Sequence, residues 1–221
     1  MDFTAILDLV NNAVYPLQAL VAIYGVFLVV LIFRRIAQKR FSSQTAANSF
    51  LNDIRDLVQQ RQFDQAAQVC DSPPYWAKAV PQLILVALAN RDRPMAKLRE
   101  LLAERFATDV LADFEYRMAW VNTLIKAAPM LGLQGTVLGM ISAFAKIAGR
   151  QKTGVDPSML ANDISFALWT TAIGLAIAIP LVLVSAAIHV RLGKLQDSVE
   201  EQLDSFLETL DVAQGGGRRR G

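Results

Sequence analysis

Three uncharged apolar runs limit what this chain can fold into. Residues 13–33 read AVYPLQALVAIYGVFLVVLIF, residues 127–145 form a second run, and residues 164–190 form a third. A helix needs about 20 apolar residues to cross the hydrocarbon core of a bilayer. Each run is long enough, and the third exceeds the minimum, so its helix is expected to tilt or protrude. Composition agrees: 53% of residues are hydrophobic and 19% charged, against about 45–50% and 25% in soluble domains. No strand alternation rises out of the remainder. The fold class that follows is an all-α, polytopic membrane protein with three transmembrane helices.

The flanks orient the spans. Asp2 and Asp8 precede the first run without a Lys or Arg, which is not the basic flank of a cleavable signal. Arg34, Arg35, Lys39 and Arg40 follow it, and Arg191 and Lys194 follow the third run. Basic flanks stay in the cytoplasm, so the N-terminus is expected outside and the C-terminus inside. Lys146, Arg150 and Lys152 in the outer loop run against this rule locally.

The segments read in order as an outer amphipathic helix (1–15), transmembrane helix 1 (16–33), a cytoplasmic helical domain (34–118), transmembrane helix 2 (119–148), an outer loop (149–156), transmembrane helix 3 (157–190), a cytoplasmic helical extension (191–212) and a flexible basic tail (213–221). Phe3, Ile6, Leu7, Val10 and Val14 give the first helix its apolar stripe before Pro16. Within 34–118, helices are expected at about 43–61, 63–70, 75–90 and 92–105, broken by DSPPY and NRDRP. Thr108 or Asp109 is the expected N-cap of the helix entering span 2, and Asp156 that of the helix opening at Pro157. Beyond span 3, Leu192, Leu195, Val199, Leu203, Phe206 and Leu210 recur at helical spacing, so one helix is expected over about 157–211. Between them stand Asp197, Glu200, Glu201, Asp204, Glu208 and Asp211, either a solvated face or a docking surface for basic segments of neighbouring subunits.

Enzyme chemistry has little to stand on. Cys70 is the single cysteine, so no intrachain disulfide forms, and it reads as a packing residue. His189 is the single histidine, without HExxH or a Cys partner, so no metal site is expected. GxSxG, Walker A and GxGxxG patterns are missing. No cofactor, no catalytic residue and no nucleic-acid partner is expected; the lipid bilayer is.

The chemistry of interest lies in the spans. The stretch APMLGLQGTVLGMISAF, residues 128–144, carries Gly132, Gly135 and Gly139, with Thr136 alongside. In span 3, Ala167, Thr171, Gly174 and Ala178 follow at steps of four, three and four. An interior glycine weakens a helix in water by about 1 kcal/mol relative to alanine, but in lipid small residues let helices approach closely. One reading is plain helix packing, with the hydroxyls bonded to their own carbonyls. A lone three-helix monomer would leave these close-packing faces against lipid, so a homo-oligomer is expected.

These motifs resemble those of the TolQ/ExbB/MotA proton-channel family. Residues 128–144 look like that family's APxxGLxGTVxGxxxxF, and ISFALWTTAIGLAIAIPLVL, residues 164–183, looks like its IxxALxxTAxGLxxAIPxxx. Three spans rather than four are similar to the TolQ/ExbB branch. The resemblance implies a pentameric ring in a bacterial inner membrane, enclosing a single-span TolR/ExbD-like partner that carries a membrane Asp. Proton flow would then drive work on the envelope: import, envelope integrity or motility. It also implies pore-facing positions for Thr136 and Thr171, with Thr170 beside them, and helix-packing roles for Gly132, Gly135, Gly139 and Gly174. The family's third-span glutamate, five residues before the threonine, is replaced by Phe166, and Gln134 stands at a usually apolar position. Asp163 is the nearest substitute carboxylate, or else an interfacial solvated residue. The replacement leaves a second reading open, a non-conducting scaffold of the same fold.

Physical chemistry adds one constraint. Neither 127–145 nor 164–190 contains an Asp or Glu, and such residues mark proton relays in membranes. A threonine hydroxyl can pass a proton but not hold one at neutral pH. The titrating carboxylate must therefore come from a partner.

Overall fold

The computed structural model describes residues 3–149 and 157–218, without side-chain detail at 3–11, 149, 159 and 216–218. All its regular elements are helical: α1 (Phe3–Lys39), α2 (Gln44–Gln59), α3 (Phe63–Cys70), α4 (Ala79–Ala89), α5 (Met95–Phe106), a π-helical turn (Ala107–Leu111), α6 (Ala112–Gly149) and α7 (Pro157–Arg218). Three of the helical stretches are long and apolar enough to cross a membrane.

The long helices override local punctuation. α1 runs through Pro16, so the separate surface helix expected before it is instead the first part of α1. α6 and α7 likewise continue through Pro129 and Pro180. An internal proline removes one amide donor, which transmembrane helices tolerate because neighbouring groups re-satisfy the freed carbonyl. The apolar stripe expected at Phe3–Val10, the Asp156 cap, Arg150, Lys152 and the last three tail residues lie outside the described side chains or residues. α7 reaches Arg218, so the tail expected to be flexible from 213 is helical as far as it is described.

The helix expected to start at Thr108 or Asp109 has no start there. The π turn carries α5 into α6, and Thr108 Oγ1 donates back to Glu104 O. Leu98, Leu102, Phe106, Val110, Phe114 and Met118 are all buried at steps of four. A step of four drifts about 40° around an α-helix; the wider π turn takes up the excess and keeps these side chains on one face. α4 begins at Ala79 rather than 75, because Pro73 and Pro74 hold a pair of turns in which Ser72 O accepts from Tyr75 N and Tyr75 O from Lys78 N.

The chain divides into two compact units, one of Met1–Leu31 with Arg117–Ala187, the other of Ile32–Tyr116 with Ile188–Gly221. The second is built like a water-soluble helical domain. Phe50, Ile54, Ile84, Leu88, Leu102, Phe114, Leu195 and Leu210 are buried in it, and the Phe50 ring lies 4.6 Å from Tyr75 and 5.4 Å from Phe41. Cys70 is buried, and burial pushes its thiol up to about 12. The acidic residues of α7 between Asp197 and Asp211 all lie on the exposed face, where Asp204 meets Arg99 at 3.5 Å.

Candidate intramembrane hydroxyl site

In the first unit, α6 and α7 meet along their small residues. A Cβ placed on Gly132 would sit 2.9 Å from Thr170 O and from the Thr171 Cα; one on Gly139 would sit 2.8 Å from the Ala167 Cβ, and one on Gly174 2.6 Å from Ala128 O. On Gly135 it would fall on the Thr170 hydroxyl, 2.6 Å from that residue's Cβ. Residue numbers rise along one helix as they fall along the other, so the two run antiparallel at backbone contact. The glycine stripes thus close on one another inside a single chain. That corrects the expectation that a lone three-helix monomer would leave them against lipid: each helix supplies the small residues its neighbour needs.

Thr170 is fully buried in this seam. Its Oγ1 lies 2.8 Å from Ala167 O and 3.2 Å from Gly132 O, so the single hydroxyl proton is shared between its own helix and the other. Gln18 of α1, 1% exposed, donates from Nε2 to Thr170 O at 2.7 Å. Gln18 is a residue the sequence reading passed over; the signal was a lone amide inside an otherwise apolar run.

Thr136 and Thr171 each follow a seam residue by one position, which rotates them about 100° away from the contact line. In an antiparallel pair, the same rotation on both helices leads to the same side of the seam. Both residues are half-buried. Thr136 Oγ1 donates to Leu133 O at 2.6 Å, the back-bond expected of a threonine in lipid. Thr171 Oγ1 is buried and has no partner. The three threonines therefore divide: Thr170 joins helices, Thr136 is satisfied by its own helix, and Thr171 leaves a buried hydroxyl without a partner.

Asp163 lies two turns before Thr170 and is ion-paired. Lys146 Nζ approaches both its carboxylate oxygens at 2.7 Å, and the Asp163 side chain is only 17% exposed. Its carboxylate is thus largely shielded from solvent and paired. Phe166, at the position of the family's glutamate, packs edge-on against Tyr15 with ring centroids 4.9 Å apart. Gln134 is exposed on α6. Among the described residues, no group of His, Cys, Asp and Glu could hold a metal ion.

Comparison with known proteins agrees with this architecture. The model of the MotA/TolQ/ExbB proton channel family matches residues 76–201, more than half of the chain. A biopolymer transport ExbB homolog from Methanothermobacter thermautotrophicus is 24% identical over 82% of this chain and 61% of its own length. Biopolymer transport protein exbB1 of Vibrio cholerae is 30% identical over 58% of this chain and 57% of its own. The Tol-Pal system protein TolQ of Haemophilus influenzae is 31% identical over 45% and 43%. The matched regions thus span between 43% and 61% of these relatives.

Proposed function

Because the chain belongs to the MotA/TolQ/ExbB proton channel family, we propose that it is a proton-conducting stator subunit of a bacterial inner-membrane motor. It works with a single-span TolR/ExbD-like partner and uses the proton motive force to do work on the cell envelope. Five chains form a ring around the partner helices, with the N-terminus of each outside and the C-terminus in the cytoplasm. The family is one of channels, and nothing in the reading calls for an enzyme.

The observation that carries this is the buried Thr171 hydroxyl without a partner, on the same side of the α6–α7 seam as Thr136. The buried hydroxyl lacks a hydrogen bond that a group from outside the chain would supply once the Thr171 side chain turns outward. A partner's membrane carboxylate is the group that makes such a site useful, since neither 127–145 nor 164–190 holds one and Asp163 is paired with Lys146. Each proton crossing supplies about 2.3 kcal/mol per 100 mV, enough to bias one step of ring against partner.

The ring uses faces other than the glycine stripes. Leu168, Trp169, Met130 and Leu133 are exposed and apolar in the isolated chain, and they suit contact with lipid or a neighbouring copy. Native mass spectrometry in mild detergent should give five chains.

A second reading, a non-conducting scaffold of the same fold, is favoured by the Phe166–Tyr15 contact and by the neutralisation of Asp163. Proton uptake into vesicles separates the two. Uptake that appears only when the partner is co-reconstituted supports the motor; no uptake with the partner present and a gradient imposed leaves the scaffold.

A further inference from the structure

A cavity of about 610 Å³ opens within the second unit where the first and third apolar runs end. Phe33, the last residue of the first run, and Ile36 form its apolar wall, and Arg40, Arg191 and Lys194 line it with no carboxylate among the lining residues. Three cations facing one space repel one another and leave a net positive potential that an anion would relieve. One of them is held in place, the Arg191 guanidinium lying 4.7 Å over the Phe33 ring, while Lys78 Nζ donates to Arg40 O at 2.6 Å and so fixes the backbone at Arg40.

The α2 N-terminus adds to the cations in setting the chemistry of the occupant. The cavity reaches Ser43 and Gln44, the N-cap and first residue of the 16-residue α2, whose leading amides and dipole favour a phosphate oxygen. Gln202 lines the same space, is 7% exposed, and bonds Ser198 Oγ at 2.7 Å with one end of its amide while Oε1 is buried without a partner. The other end of this amide, Nε2, is thus occupied within α7, and the cations and the α2 N-terminus are the groups left to meet a ligand.

We propose that this cavity binds a phosphate-bearing anion, supplied by the headgroup of an anionic phospholipid of the inner leaflet. The apolar wall is the reason to favour a lipid source over a soluble phosphate: Phe33 and Ile36 offer surface to the first acyl carbons, while the cations and the α2 N-terminus take the phosphate. The assignment to the inner leaflet rests on the orientation proposed above, but the site does not depend on proton conduction, so its failure and the motor's are distinguishable.

The test is native mass spectrometry of the full chain in mild detergent, titrated with phosphatidylglycerol, phosphatidylcholine or glycerol phosphate. The parent should hold phosphatidylglycerol in clear preference to phosphatidylcholine. Lys194→Gln should weaken that binding about fivefold, and Arg40→Gln, Arg191→Gln and Lys194→Gln together on the order of a hundredfold, at roughly one such step per cation near a charged lipid. Lys97→Gln, an exposed cation on α5, should change nothing. Lys194 is exposed, so its single variant keeps the test decisive if the triple variant fails to fold. Equal binding of the two lipids would overturn the proposal. So would unchanged binding in Lys194→Gln, or an equal loss in Lys97→Gln. Displacement by glycerol phosphate at lipid-like concentration would overturn the lipid source and assign the site to a soluble phosphate.

Discussion

The two compact units hold their helices together by opposite means. In Ile32–Tyr116 with Ile188–Gly221, large side chains fill the space between helices: Phe50, Ile54, Ile84, Phe114, Leu195 and Leu210 are buried, and the acids of α7 face outward. In Met1–Leu31 with Arg117–Ala187 the contact is made by absence, with Gly132, Gly135, Gly139 and Gly174 admitting the opposite backbone while Met130, Leu133, Leu168 and Trp169 stay exposed. The difference follows from the solvent. Water drives large apolar groups together, at about 25 cal/mol per Å² buried. Lipid is as apolar as leucine, so close packing and hydrogen bonds must do the joining.

The comparison breaks first where a large side chain is removed from the water-built unit. Phe50→Ala should cost about 3–5 kcal/mol, as aromatic truncations in packed cores do. Cys70 gives a local readout. Its buried thiol, pushed up to about 12, is uncharged at pH 8 and should resist iodoacetamide until this unit opens. The variant should therefore show much faster alkylation than the parent. Equal rates would mean that Phe50 is not holding this core.

The seam should fail the other way, on addition rather than removal. Gly135→Ala introduces a methyl onto the Thr170 hydroxyl, and overpacking of this kind costs about 1–3 kcal/mol. Thermal unfolding in detergent should fall measurably. An unchanged midpoint would show that α6 and α7 are not in backbone contact. Smallest, and of opposite sign, is Gly193→Ala in the water-built unit. Nothing lies within 4 Å of the added methyl, and replacing a mid-helix glycine should stabilise by about 0.5–1 kcal/mol. The same substitution in two settings thus has opposite signs, and equal signs would remove the distinction.

What the sequence made legible follows the same division. The spans could be read because an uncharged run of sufficient length has one physical meaning, and the glycine stripes because small residues at steps of three and four share one helix face. Their partner could not be read: periodicity says which face is small, not whether it meets α7 of the same chain or another copy. The Lys146–Asp163 pair joins residues on two different helices, which no local pattern reveals. The passage of α1 through Pro16 and the π turn at Ala107–Leu111 were hidden because tertiary packing, not local preference, decides whether a proline or a four-residue step ends a helix. Gln18 was visible but unread, since an amide in a span signals a bond without naming its acceptor.

The central claim is that neighbouring threonines have separate duties, Thr170 joining helices and Thr171 serving protons. Thr171→Val removes an unpartnered hydroxyl at nearly constant shape, so folding and assembly should be unchanged. The deciding measurement is partner-dependent proton uptake by vesicles containing this variant, normalised to folded protein. The account predicts a loss of at least about tenfold, the usual scale for removing a proton-transfer group being 10²–10⁴. Uptake equal to the parent's would contradict it, leaving Thr171 as one more packing residue.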